Sequence, residues 1–414
     1  MKTKNVKKTV LVVSQYFWPE DFRVNELVIG FQENGYCVEV LTGRPNYPSG
    51  TTFKEFKLNP NEFSTYRDIK VHRVWQFSRG KSTFGLLSNF ISFVFMACLY
   101  SLFRLKKKKY DVIFGIQLSP IISVIPAILC KKIMKIPLHL WVLDIWPDSV
   151  ASVKINPKSA LYNYLEKVCR TIYSSADILF LSSSGFKKRL IDMKVCGPKF
   201  VELPQWVESS YTHDIEFGGK IDFEIKNLLS PWAKKKIFLF AGNLGEVQDF
   251  NCILSGFKSA GCLDDLVFLI LGDGRYKDNI LEMISSKKLT ASVFCLGRYP
   301  NEYMPLFYHY ADFLVFSLMD LPIFGLTLPG KIQSYMSSGT PILGMVNGEA
   351  AAVIRDAKCG FTVPSGDIQS FAKLLDKCCL ESSNDMIMLG NNGKKYATRN
   401  YNFGTLIKKT TSYF

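Results

Sequence analysis

Three short stretches in the second half of the chain carry residue types suited to holding a phosphorylated ligand. Ala241-Gly242-Asn243-Leu244-Gly245 follows the apolar run 236–241 directly, and Leu271-Gly272-Asp273-Gly274 closes the run 266–271. Glycine at a strand-to-helix turn lets backbone amides approach a phosphate at the helix N-terminus; it also serves turn geometry alone. The third stretch, Leu328-Pro329-Gly330-Lys331, opens a helical pattern that ends at Ser338-Gly339-Thr340-Pro341. Proline at the start and glycine at the end match the asymmetry of helix caps. Lys331 therefore falls in a first helical turn, where free N–H groups and an ammonium together suit a diphosphate, a solvated surface lysine being the alternative. Leu296-Gly297-Arg298 closes a further apolar run and offers a second cation.

The first half supplies carboxylates. Asp144 opens Asp144-Ile145-Trp146-Pro147-Asp148-Ser149, right after the apolar run 138–143. A carboxylate at a strand end can orient or deprotonate a hydroxyl, and it can also simply cap the turn; the Trp-Pro pair rigidifies the loop, as catalytic geometry requires. Glu20 and Asp148 are weaker candidates of the same kind. Glu349, after Asn347-Gly348 at a helix start, either touches a bound ligand or complements the helix dipole. Eleven cysteines are scattered without a Cys-x2-Cys pair and only four histidines are present, which points to reduced thiols in the cytosol and to no metal site.

Positioning these residues takes a particular set of elements. Short Val-, Ile-, Leu- and Phe-rich runs at 9–14, 38–42, 70–75, 111–115, 138–143 and 178–182, then at 236–241, 266–271, 293–296, 312–316 and 341–344, alternate with helical patterns. Continuous apolar strands followed by helices indicate parallel sheets covered on both faces. Two such series, separated by the polar stretch 208–234, predict an α/β chain of two doubly wound domains. A length of 414 residues agrees with two cores. We expect an N-terminal domain at 1–207, a C-terminal domain at 208–395, and a last helix within 396–414 packing back on the first. Ligands of such folds lie at the carboxyl ends of the strands, so a cleft faced by the two domains is the expected site.

Charge separates the halves. Residues 1–207 hold 30 Lys and Arg against 15 Asp and Glu, and 208–414 hold 21 against 21, so the whole +15 lies in the first half. Nucleic acid, an anionic membrane or a phosphorylated partner would each suit it, but the basic residues are not interleaved with aromatics as in a nucleic-acid module. Lys2, Lys4, Lys7 and Lys8 precede an apolar run only one strand long, with no small-residue cleavage site, so the N-terminus reads as a first strand and not as an export signal. Residues 84–103 contain no charge and precede Arg104 and Lys106 to Lys109. Their length would cross a bilayer, but a crossing would put the flanking strands on opposite sides. An interfacial helix with its basic end on anionic headgroups is the functional reading; a helix buried against the sheet is the other.

The motifs, taken in order, resemble glycosyltransferase family 4, retaining enzymes with two Rossmann-like domains in the GT-B arrangement. The likeness rests on Val13 to Phe17 with Pro19-Glu20, Leu41-Thr42-Gly43, Pro45-Asn46-Tyr47-Pro48, Asp144 to Ser149, and Ser182 to Phe186 after Ala176-Asp177. In the second half, Phe240 to Gly245, Gly272 to Gly274, Leu328 to Tyr335 and Asn347 to Glu349 are similar to the branch of colanic-acid and O-antigen fucosyl and N-acetylfucosaminyl transferases. The resemblance implies a nucleotide-sugar donor on the C-terminal domain, held by Gly242, Gly245, Gly274, Arg298, Lys331, Ser334 and Glu349. It also implies an acceptor on the N-terminal domain, with Asp144 catalytic and neither metal nor other cofactor.

The chain departs from that pattern in places. Alignment on Ser338 to Pro341 puts Leu326 and Ser334 where the family has its Glu-x7-Glu pair, and Asn243 and Gln248 where it has an Arg and a Lys. Leu143 replaces a common histidine before Asp144. Lys331, with Arg298 or Arg275, must then neutralise the diphosphate. The expected enzyme is cytoplasmic, peripheral on the inner face of the plasma membrane, and transfers sugar to a lipid-diphosphate-linked saccharide in bacterial surface-polysaccharide assembly. A sugar-nucleotide 2-epimerase and a non-catalytic glycosyltransferase-like partner subunit are the rivals.

Overall fold

The computed structural model describes residues 7–80, 82–151, 155–208, 211 and 217–414. Lys2, Lys4 and part of the polar stretch 208–234 lie outside them. The chain divides into two compact units, one running through Pro204 and including Gly404–Phe414, the other Gln205–Phe403.

The first unit is built on an eight-stranded sheet: β1 (Thr9–Val13), β2 (Cys37–Thr42), β3 (Thr65–Tyr66), β4 (Ile69–Arg73), β5 (Val112–Gln117), β6 (Leu138–Val142), β7 (Ile178–Leu181) and β8 (Lys199–Glu202). Their order is β3-β4-β2-β1-β5-β6-β7-β8. Every pair is parallel except the short β3–β4 hairpin. Val10 lies between Val38 and Val112 in register, and these side chains, like nearly all of β1, β5 and β6, are buried, as strands covered on both faces must be. The helix Phe403–Thr411 and the residues after it close this unit. The Phe414 ring meets Phe31 at 4.9 Å and Phe114 at 5.9 Å, and the Tyr36 hydroxyl donates to the Thr411 carbonyl. The preceding helix, Ser383–Asn400, belongs to the second unit, so the chain returns at Phe403–Gly404.

The second unit holds β9 (Lys236–Ala241), β10 (Leu266–Leu271), β11 (Val293–Gly297), β12 (Phe313–Ser317), β13 (Ile342–Met345) and β14 (Gly360–Val363) in the order β11-β10-β9-β12-β13-β14, all parallel. This is a doubly wound sheet whose strand order reverses between β9 and β12, the place where such sheets bind ligands. Alternation along β9 divides the core. Ile237 and Leu239 pack with Ile332, Tyr335 and Met336, while Phe238 and Phe240 pack with Phe250, Ile253 and Phe257 on the other face.

Each apolar run named from the sequence is a strand to within a few residues. β3, β8 and β14 carry no continuous apolar run: β3 is two residues long, β8 reads Lys-Phe-Val-Glu with one buried side chain, and β14 is only partly buried. Residues 84–103 form the α-helix Thr83–Tyr100, continued by a π-turn over Ser101–Leu105. The strands before and after it, β4 and β5, share one sheet, so the segment does not cross a bilayer.

Candidate active site

The carboxyl ends of β9, β10 and β11 and the first turn of the helix Gly330–Ser338 enclose a cavity of about 430 Å³ in the second unit. Its walls include Gly242, Asn243, Asp273, Arg298, Tyr299, Tyr308, Lys331 and Ser334. Two glycines make the floor possible. Gly242 and Gly272 have φ of +138° and +134°, and a Cβ on Gly272 would meet the Gly242 carbonyl at 1.9 Å. The loops after β9 and β10 thus touch backbone to backbone, where only glycine fits.

A Cβ on Gly242 would lie 2.8 Å from Lys331 Cε and Nζ, so its absence is what admits the lysine. The ammonium sits 3.7 Å from the centre of the Phe240 ring, and Lys331 has no acidic partner among the described residues. Burial lowers its pKa from the ordinary lysine range to about 7. A desolvated ammonium beside the free N–H groups of a helix start is an anion site in waiting. The helix is pinned there by Tyr335, whose hydroxyl accepts from the Ala241 amide at 2.9 Å and donates to the Ala241 carbonyl at 3.3 Å. Arg298, exposed after β11, likewise has no acidic partner among the described residues.

Of the residues named from the sequence, Gly242, Arg298, Lys331 and Ser334 line this cavity together. Gly245, Gly274, Glu349 and Arg275 do not. The Gly245 amide donates to Gln248 Oε1 at 2.9 Å, which occupies Gln248 in holding the loop. Gly274 lies against Leu244, where a Cβ would meet the carbonyl at 2.1 Å. Glu349 stands in the first turn of the helix Gly348–Asp356, which follows β13 in the chain. Tyr211, Tyr299, Asn301 and Tyr308 are cavity residues that sequence reading passed over. Tyr299-Pro300-Asn301 after Arg298 was a usable signal, since it continues a strand end; Tyr308, stacked on Tyr211 at 5.6 Å, looks like any core aromatic.

In the first unit, Asp144 follows β6. Its Oδ1 accepts from the Ser149 hydroxyl and its Oδ2 from the Trp146 indole at 3.2 Å, while the Trp146 amide donates to the Tyr173 hydroxyl at 3.0 Å. The loop is therefore rigid, and each carboxylate oxygen still has a lone pair to offer. Asp148 is engaged: Arg189 Nε donates to both its oxygens at 2.9 Å, and the same guanidinium reaches Glu166. Glu20 is engaged as well. Its Oε1 accepts the amides of Asn46 and Tyr47 at 2.7 Å each, and burial raises its pKa to about 7 against the pull of those N–H groups and of Arg73. Both acids organise loops. No group of three or more His, Cys, Asp or Glu among the described residues is arranged to hold a metal ion.

Comparisons with known proteins agree with this architecture. Residues 223–396 match the glycosyl transferases group 1 family, and they contain the cavity's glycine loops and Lys331. Over 387 residues the chain is 24% identical to the probable glycosyltransferase WbjE of Pseudomonas aeruginosa, covering 92% of this chain and 94% of that one. Among solved structures, HepE from Anabaena in complex with UDP superposes with a TM-score of 0.69 at 14% identity, covering 98% and 99% of the two chains. Sucrose-phosphate synthase from Thermosynechococcus elongatus gives 0.75 at 14% identity over 98% of each. The chain has the two-domain, Rossmann-like GT-B fold, and the likenesses together support a glycosyltransferase.

Proposed function

We propose that this protein is a retaining glycosyltransferase of family 4 that moves a sugar, of the fucose or N-acetylfucosamine type, from a nucleotide-diphosphate donor to a lipid-diphosphate-linked saccharide in bacterial O-antigen, capsule or exopolysaccharide assembly. The observation that carries the reading is Lys331: a desolvated ammonium in a helix's first turn, in a cavity floored by glycine backbone. A leaving diphosphate needs positive charge held in place, and a lysine fixed at a helix start supplies it once the bound diphosphate favours its charged form. HepE, with which the fold superposes, was crystallised with UDP, and WbjE is a probable glycosyltransferase. In this reading Lys331 and Arg298 hold the diphosphate and replace the cations absent at Asn243 and Gln248. Asp144 in the first unit receives the proton of the acceptor hydroxyl or orients it. The basic first unit suits an acceptor that carries a diphosphate and resides at the cytoplasmic face of the membrane.

Thermal melts of the purified protein with a panel of UDP- and GDP-sugars test the donor. A donor at one hundred times its dissociation constant stabilises by about 2.7 kcal/mol, a shift of several degrees. No shift with any nucleotide sugar overturns the reading. With the stabilising donor in hand, transfer to a lipid-linked acceptor identifies the enzyme, epimerised donor without acceptor identifies a 2-epimerase, and binding without turnover identifies a partner subunit. The last possibility is raised by Leu326 and Ser334 at the family's glutamate positions.

A further inference from the structure

The helix over Thr83–Leu105 is amphipathic in the inverse sense. Between positions 84 and 103 every exposed side chain is apolar: Phe84 (81% exposed), Leu87, Ile91, Phe95 (62%), Leu102 and Phe103 (76%). The first five recur at intervals of three, four, four and seven residues, which keeps them on one side of an α-helix. The buried side, by contrast, carries Asn89, Ser92 and Ser101 among Phe93, Ala97 and Leu105. A helix that covers a soluble core turns its apolar face inward. Only 28% of the most apolar eighteen-residue window is buried here. The exposed side chains of Phe77 and Trp75 belong to the segment that leads into this helix.

The polar side is built in. Asn89 Oδ1 accepts from Gln15 Nε2 at 2.9 Å, its Nδ2 donates to the Phe77 carbonyl, and Ser92 Oγ accepts the Phe77 amide at 3.0 Å. Gln15 stands just beyond the carboxyl end of β1. At the other end the Tyr100 hydroxyl meets His72 Nδ1 at 2.9 Å. These bonds fix which face points outward. The helix then runs into exposed Arg104, Lys106, Lys107 and Lys109, whereas Lys108 turns back to Glu39, 2.7 Å from its Oε2.

We infer that this face is a docking surface for an anionic lipid bilayer, with Phe84, Leu87, Ile91, Phe95 and Phe103 entering the acyl boundary and Arg104, Lys106, Lys107 and Lys109 meeting the headgroups. An apolar stripe ending in cations matches an interface that is apolar below and anionic above, which a protein partner need not be. The surface deepens the proposed reading by assigning the residues that bring the first unit to a lipid-linked acceptor. Only its purpose rests on that reading, since vesicle binding is measured without donor or acceptor.

The test is cosedimentation of the full-length protein with phosphatidylcholine vesicles and with vesicles that also contain phosphatidylglycerol, at low and high salt. Binding should favour the anionic vesicles and fall with salt. Replacing Lys106, Lys107 and Lys109 by Gln, with Lys108 kept, should lower partitioning into anionic vesicles by about two orders of magnitude. Phe95→Asp should abolish binding, with the thermal melt and the nucleotide titration unchanged because the side chain is exposed. Phe95→Trp should show fluorescence quenched by brominated acyl chains. No binding of native protein to anionic vesicles at low salt, an unquenched Trp in bound protein, or a stable dimer that buries this face in solution would each overturn the docking surface. Failure of nucleotide binding alone would instead overturn the glycosyltransferase reading and leave the docking result intact.

Discussion

At the scale of single residues, Lys331 concentrates most of the site's chemistry. Its ammonium is desolvated and waits at about pKa 7, so above that pH the free protein holds it mainly neutral. A bound diphosphate favours the charged form, and nucleotide binding should therefore take up a proton at pH 8 and progressively less below pH 7, where the lysine is already charged. Calorimetry in buffers of different ionisation heat measures this uptake, and it should vanish in Lys331→Ala. The same variant should bind the donor about 10- to 150-fold more weakly, the loss of a charge-assisted contact worth about 1.5–3 kcal/mol. Asp144 differs in kind, because its oxygens already hold Ser149 and Trp146. Asp144→Asn preserves size and shape, so donor affinity should stay while turnover falls by about 10²–10⁴ if the carboxylate serves as base. Steady-state kinetics beside a donor titration separate this from a capping role, in which turnover would be near normal.

Elements matter through the few bonds that set them against one another. The helix Gly330–Ser338 delivers Lys331 to the cavity because fully buried Tyr335 clasps both backbone groups of Ala241. Tyr335→Phe removes the clasp and leaves buried polar groups unpaired, which costs about 1–3 kcal/mol. Chemical denaturation should register that loss, and donor affinity should drop although no cavity residue has changed. In the first unit, Glu39 on β2 gathers His72 from β4 and both Lys108 and Tyr110 from the loop before β5. Despite some burial, these donors hold its carboxyl at about 2, below the usual carboxylate range. A carboxyl lowered on folding stabilises the protein above its unfolded pKa near 4.5, and the contribution disappears as pH falls towards 2. Lys108→Gln should accordingly lower the melting temperature at pH 7, with the difference shrinking between pH 4.5 and 2, whereas Lys107→Gln should change neither.

On the scale of the whole molecule, the chain forms two units with separate cores, and its last residues return to the first. Phe414 packs on Phe31 and Phe114, and its carbonyl accepts from Lys8 at 2.9 Å. Truncating this half-buried ring in Phe414→Ala should cost about 2 kcal/mol in thermal or denaturant unfolding. Nucleotide affinity should be unaffected, since the cavity belongs entirely to the other unit. Much of this plan was legible in the residues. Buried parallel strands are continuous apolar runs, so eleven of the fourteen strands among the described residues, the two doubly wound sheets and the helix start at Lys331 follow from local pattern and caps. The missing three are too short or too polar to leave such a mark. The cavity itself was half legible: loops at strand ends announced Gly242 and Arg298, the helix start announced Lys331, and Ser334 came with the family resemblance. Tyr211, Tyr308, the engagement of Asp148 by Arg189 and the support roles of Gly245 and Gly274 depend on partners far along the chain. Residues 84–103 show the division most clearly. Composition alone determined an uncharged apolar helix with a basic end, but which side faces outward was decided by Gln15, Phe77 and His72, whose hydrogen bonds to Asn89, Ser92 and Tyr100 exist only once the sheet has brought distant loops together.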